Sequence, residues 1–469
     1  MLLQAAAEDA PPYPWKAGAA EVKITPEKPM WMAGYSSRTK PSEGVWLDLF
    51  AKALALEDAD GKHFVFVTMD LIGIPRQLRQ EVEDQCKAKY QLQPENLLLN
   101  ASHTHSGPEF RVGESRYLEV MDHQSPEAAE YGARLVEKLV ALTGEALQKL
   151  KPAKLQYTHA SCGFAMNRRL PTLRGFTNSP YPDGPVDHDV PVLEVSSADG
   201  KETLAIMFGY ACHNTTLSFQ YLCGDYAGYA QQELQKAHPG AIALFMNGCS
   251  GDQNPYPRGK LELAQFHGKT LATAVEAALQ VLQKRPLRGP IRAAYTHVDL
   301  PFAPPPSREE LQELEKSKNV WEAKHATLQL KILQEQGHLE TSYPYPVQVL
   351  HLNSDFVLVA LGGEVVVDYS LHIKKKLYHT SVVWVAGYSN DVMAYVPSLR
   401  VLKEGGYEAA SATLFTAHPG PWSDQVENTI TREVYKLDFN LNIVREFPYP
   451  TEFNPPPIPA NIGLDPGKK

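Results

Sequence analysis

The stretch Leu97-Leu98-Leu99-Asn100-Ala101-Ser102-His103-Thr104-His105-Ser106-Gly107-Pro108 reads as a short apolar strand running into a loop. Side chains alternate along an extended chain, so two histidines separated by one residue point the same way at a strand exit. One can then ligate a metal while the other faces a substrate. Gly107-Pro108 breaks regular structure and marks the exit. The carboxyl ends of strands are where α/β proteins keep their chemistry. Alone, the pair is also compatible with two satisfied structural histidines, so its reading depends on the rest of the chain.

Working outward, short β-rich runs alternate with longer helical patterns, which argues α/β: mixed β-sheets with flanking helices and a metal site at the strand C-terminal ends. Strands are expected at Lys52–Leu56, His63–Met69, Asn96–Ala101, Pro191–Val195, Thr203–Tyr210, Ala241–Met246, Val347–Leu352, Phe356–Leu361 and Val382–Ala386. Helices are expected at Arg76–Tyr90, Pro126–Leu150, Tyr226–Ala237, Leu261–Leu282 and Arg308–Gln336. Pro126 suits a first helical turn. Ser307 with Glu310 predicts a capping box, and Gly337 a C-terminal stop. The mixed charge of the Arg308–Gln336 helix reads as a solvated scaffold rather than a lid or membrane-surface element. Residues 1–16 read as a flexible start, 17–446 as the folded domain and 447–469 as an extended Pro-rich tail. Gly175–Gly184 reads as a long loop of the kind that shapes specificity.

The chain has 469 residues, 43% hydrophobic and 21% charged, which is ordinary for a globular protein. Its net charge of −9 is spread without a basic stripe, so no nucleic-acid partner is expected. No apolar run approaches the length of a transmembrane helix. The Ala-rich start lacks the basic and apolar regions of an intact signal peptide. It is either the tail of a trimmed signal, which implies a secreted or periplasmic protein, or a disordered start. Five cysteines (Cys86, Cys162, Cys212, Cys223, Cys249) without CxxC spacing argue against a disulfide framework and a zinc finger. One disulfide stays open if the protein is exported.

Candidate ligands follow several apolar strands. Ala211-Cys212-His213-Asn214-Thr215 follows Thr203–Tyr210, and Gly362-Gly363-Glu364 follows Phe356–Leu361. Gly387-Tyr388-Ser389-Asn390-Asp391, and then Tyr395, follow Val382–Ala386. If these strands are neighbours, His103, His213 and Glu364, with or without Tyr395, form an N₂O or N₂O₂ set. Two imidazoles and a carboxylate suit zinc and leave a position for water. Competing motifs are weaker. There is no GxGxxG, P-loop or HExxH. Gly248-Cys249-Ser250-Gly251 lacks the GxSxG spacing of a hydrolase elbow. Cys212 and Cys249 read better as buried structural thiols than as nucleophiles.

These segments, in order, resemble the neutral/alkaline (non-lysosomal) ceramidase family. Ser102-His103-Thr104-His105-Ser106-Gly107-Pro108 matches its THTHSGP-type motif, and Asn167-Arg168 its Asn-Arg pair. Ala211–Thr215 is similar to its second histidine segment, and Gly224-Asp225-Tyr226-Ala227-Gly228-Tyr229 to its SDxxGYA segment. Gly363-Glu364 and Ser389 to Tyr395 match its glutamate and tyrosine ligand segments. Tyr407-Glu408-Ala409-Ala410-Ser411 is nearly its YEAAS. The resemblance runs from about residue 17 to about residue 440, and its first and last motifs are the specific ones.

The resemblance implies a ceramidase-like catalytic domain with zinc held by His103, His213, Glu364 and Tyr395. It implies that His105, Arg168 and Tyr407 face the scissile amide. The expected activity is hydrolysis of an N-acyl C–N bond by zinc-activated water, on a small-molecule or lipid amide of the sphingolipid class. Two departures widen that class to other amides or esters. Asn254, in Gly251-Asp252-Gln253-Asn254-Pro255, stands where the family carries a serine. An amide cannot be a nucleophile, though it can hydrogen-bond a substrate. The chain is also expected to lack the C-terminal immunoglobulin-like domain of longer members. A non-catalytic binding protein on the same fold is the remaining alternative; it has no need of an open metal position.

Overall fold

A computed structural model describes residues 15–113, 126–353, 356–377 and 382–443. Two sheets carry the architecture. The larger runs, in spatial order, Ile242–Asn247, Thr203–Tyr210, Asp189–Ser197, Lys151–Ser161, Trp15–Lys23, Phe50–Glu57, His63–Met69 and Leu97–Ala101, with Arg285–Leu287 off that path. Its outermost pairs on both sides are parallel and its interior pairs antiparallel. The smaller sheet runs Arg292–Pro301, Ser342–Asn353, Phe356–Leu361 and Val382–Ala386, its last pair parallel.

The sheets pack face to face over a core that includes Leu98, Leu244, Met246, Leu350, Leu358 and Trp384. Helices cover the outer faces, where Leu135, Leu139 and Val140 of Pro126–Gln148 bury against Ala53, Val65 and Val67. Such strands, covered on both sides, read as continuous apolar runs. Leu97–Ala101 and Phe356–Leu361 are buried at every position.

The expected mixed sheets with flanking helices are present, and His63–Met69, Thr203–Tyr210, Phe356–Leu361, Val382–Ala386 and Arg76–Tyr90 keep their expected bounds. Four expectations change. Strand Trp15–Lys23 begins ahead of Ala17, because Trp15 is buried and its indole donates to the Leu287 carbonyl at 2.7 Å. The Gly175–Gly184 loop is a strand, Gly175–Tyr181, hairpinned to Ala165–Thr172. Its prolines mislead because an edge strand tolerates them. The long Arg308–Gln336 helix is two, Arg308–Leu314 and Val320–Gln336, since the Asn319 side chain caps a new start at the Trp321 N–H. The Ser307–Glu310 capping box and the left-handed Gly337 stop are formed. Finally, His103 adopts φ of +61°, so the two histidines are not on extended chain. The Pro-rich tail and most of the flexible start lie outside the described residues.

Candidate metal centre

Three strands end where the two sheets meet. Asn100, fully buried, ties them: its amide donates to the Gly387 carbonyl at 2.8 Å and to Ser389 Oγ at 3.1 Å, and its Oδ1 accepts from Asn247 N–H at 2.9 Å. The Asn390 amide N–H donates to the Leu99 carbonyl at 2.9 Å. His103, Tyr388 and Asn390 all hold positive φ, at 61°, 49° and 64°. Such non-glycine conformations cost energy and persist only where surroundings enforce them.

The strand exits deliver their side chains to one point. His103 Nε2 lies 3.1 Å and His213 Nε2 3.2 Å from Glu364 Oε2, and His105 Nε2 is 3.1 Å from His103 Nε2. Tyr395 hydroxyl is 3.2 Å from His213 Nε2, and the backbone pairs Glu364 beside Tyr395. Each of these two rings is oriented from behind: His103 Nδ1 sits 2.6 Å from the Ile72 carbonyl, and His213 Nδ1 2.6 Å from the Ser250 carbonyl. A carbonyl on Nδ1 leaves the Nε2 lone pair facing the centre, the usual arrangement behind a metal-bound histidine.

Protonation agrees with that arrangement. Burial, then Arg168, holds His213 neutral, its pKa down at about 3. Burial alone would raise the Glu364 carboxyl, but the facing His103 and His213 rings keep it well below the ordinary carboxylate range. A neutral imidazole such as that of His213 and an ionised carboxylate such as that of Glu364 are the states that offer lone pairs to a cation. Burial and the neighbouring His103 ring likewise keep His105 neutral. Glu364 Oε2 is buried with no hydrogen-bond donor among the described residues. His103, His105 and His213 bring their ligand atoms within 4.8 Å of one another. This cluster can hold a metal ion, and an orphaned carboxylate oxygen fits a cation there.

A cleft of about 750 Å³ opens onto the centre, its wall including His103, His105, Glu364, Tyr395 and Tyr407. Arg168 and Asn254 stand behind that wall. Arg168 is buried, donating to Tyr395 hydroxyl at 3.0 Å, Asn254 Oδ1 at 3.2 Å and Glu408 Oε1 at 2.8 Å. The sequence reading takes Tyr407 from this segment and not Glu408, yet the other Glu408 oxygen pairs with Arg169 at 2.6 Å. Its signal was present: an acid inside a specific motif, in a chain with an adjacent Arg168-Arg169 pair. Tyr388, whose ring lies 4.5 Å from that of His103, is also outside the expected set. The Val320–Gln336 helix lines the cleft through Trp321, Gln329 and Ile332 instead of standing clear as a scaffold. Ser250 is fully buried and serves through its carbonyl, and burial pushes the Cys212 and Cys249 thiols up, so none has the setting of a nucleophile. All five cysteines are free.

The fold and the site thus define an α/β two-sheet protein with a buried histidine cluster, built at strand ends, able to hold a metal. The model of the neutral/alkaline non-lysosomal ceramidase N-terminal region matches residues 15–301, more than half of the chain. The chain belongs to this family. It is 29% identical over 258 residues to a neutral ceramidase of Pseudomonas aeruginosa, covering 52% of this chain and 37% of that one. A neutral ceramidase of Mycobacterium tuberculosis is 24% identical over 296 residues, covering 57% and 46%. The matches span less than half the length of these curated relatives. The solved neutral ceramidase of Pseudomonas aeruginosa superposes with a TM-score of 0.70 at 21% identity, over 92% of this chain and 75% of that one. A ceramidase complexed with C2 gives 0.71 at 19%, over 92% and 76%. At that identity the likeness speaks for the fold.

Proposed function

We propose that this chain is a zinc-dependent hydrolase of an N-acyl amide bond, of ceramidase type, with His103, His213, Glu364 and Tyr395 as the metal ligands. The observation that carries the reading is the meeting of two carbonyl-oriented imidazoles on one orphaned carboxylate oxygen at the floor of a cleft. Zinc bound there supplies a water of pKa near 7 and polarises a carbonyl.

The protein's own residues do the remainder. Arg168, fixed by Glu408 and Asn254, holds the Tyr395 hydroxyl toward His213. Asn254 then acts on the arginine and not on the substrate. Burial, then Glu364, keeps Tyr407 protonated, its pKa pushed up to about 12, so its hydroxyl is a standing donor on the cleft wall. Neutral His105 offers one ring nitrogen as donor and the other as acceptor. Together they can stabilise a developing oxyanion, worth roughly 3–4 kcal/mol per well-placed donor. His105 is placed to pass a proton to the leaving amine. Gly34 permits its position: a Cβ there would meet the ring at 2.5 Å.

Elemental analysis of the purified protein tests the metal site. About one zinc per chain is expected, lost in His213→Ala; retention of stoichiometric zinc by that variant would remove His213 from the ligand set. N-acyl lipids assayed beside short amides and esters test the substrate class, with the lipids expected to be preferred.

A further inference from the structure

The cleft carries a carboxyl that the proposed metal centre does not use. Glu109 lies four residues past His105, on a segment held by the Met32–Pro108 bridge and by its own N–H to the Trp31 carbonyl at 2.7 Å. Extended chain spans about 3.3 Å per residue, so its Cα lies within about 13 Å of that of His105. Its side chain is 8% exposed and lines the same cleft as His103, His105 and Glu364. Among the described residues, its Oε1 is buried and accepts no hydrogen bond. Burial pushes the carboxyl up to about 7, against the pull of Arg111.

Apart from Glu364 at the proposed metal centre, several buried acids among the described residues are satisfied. Asp225 accepts from the Leu217 and Tyr226 N–H groups, Asp252 from the Val367 N–H and the Asn167 amide, and Glu408 from two guanidiniums. Leaving a buried acceptor unmatched is destabilising. Glu109 bears that penalty on the wall of a cleft, where a ligand can supply the missing donor.

We propose that Glu109 is a specificity-determining residue: its free oxygen accepts a hydrogen bond from a donor, hydroxyl or ammonium, that the substrate carries away from its scissile amide. The proposal rests on the amidase reading and adds a polar requirement to it. Binding is therefore read at about pH 8.5, where Glu109 is ionised: a carboxylate accepts and does not donate, so an ether or alkyl group at that position leaves the oxygen orphaned.

Calorimetry with three N-acyl ligands of equal length tests it, the amine portion ending in a hydroxyl, an ammonium or a methyl group. The native protein is expected to bind one donor-bearing ligand about tenfold more tightly than the methyl ligand, as a hydrogen bond to a charged acceptor allows. Which donor is preferred separates the two sources. The preference should vanish in Glu109→Leu. The near-isosteric Glu109→Gln removes the charge with little change of shape and should lose most of any ammonium preference. The Tm of both variants should equal or exceed that of the native protein, since a ligand-binding acid left unmatched does not support the fold. Equal binding of all three ligands, a preference that survives in Glu109→Leu, or a lowered Tm in both variants would overturn the proposal. Binding is read without turnover, so the two readings fail separately. A retained preference with no hydrolysis defeats the amidase reading, and hydrolysis with no preference defeats this one.

Discussion

At Arg168 a single guanidinium serves three masters: Glu408 on Nε, Asn254 on Nη1 and Tyr395 on Nη2. A planar fork does this and a point-charged ammonium does not. Arg168→Lys should therefore loosen Tyr395 while keeping the charge. We expect metal affinity to fall about 10- to 100-fold, the usual cost of losing a group that orients a ligand. Chelator competition reads it directly, and an unchanged affinity would place Tyr395 outside the metal set. The residue scale also shows where sequence was legible. His103, His213, Glu364 and Tyr395 each follow an apolar run, so each could be read as a strand exit. Glu408 shows in the sequence only as an acid inside a motif; its partners Arg168 and Arg169 lie 240 and 239 positions away.

At the scale of elements, fully buried strands such as Phe356–Leu361 declare themselves by their apolar run, and the hairpin of Ala165–Thr172 with Gly175–Tyr181 does not, because its outer strand is largely exposed and holds Pro180. Mixed charge on Val320–Gln336 hid its other role. Trp321 packs its ring 5.0 Å from that of Phe415, and both line the cleft. Substrate contact by this helix predicts that Trp321→Ala raises KM for a long-chain N-acyl lipid about tenfold or more, with kcat nearly unchanged, as expected when apolar contact is lost equally in ground and transition states. Steady-state kinetics at fixed zinc checks this. A fall in kcat alone would instead place the helix in the chemistry.

The whole molecule is held at the site by polar contacts between strand ends, with the apolar core behind them. Asn100 uses its amide and its carbonyl oxygen to join the Leu97–Ala101, Ile242–Asn247 and Val382–Ala386 exits. Asn100→Ala would leave the Asn247 N–H without its acceptor, while the Gly387 carbonyl keeps the Ser389 hydroxyl as donor. An orphaned buried group costs about 1–3 kcal/mol, so denaturant unfolding should show a loss of at least about 1 kcal/mol. Zinc content should fall with it, because the exits that carry His103 and Tyr395 lose their common tie. A variant that loses stability but binds zinc normally would show that the exits converge without Asn100.

By itself the sequence determined the α/β class, most central elements, the family and the strand-exit residues, because those depend on local period and on motifs a few residues long. The tertiary structure decided which exits meet, that Arg168 and Asn254 stand behind the wall, that Glu408 clamps two arginines, and that one Glu109 oxygen accepts no hydrogen bond among the described residues. Those depend on contacts between residues remote in the chain, where a side chain's role is set by what the fold places against it.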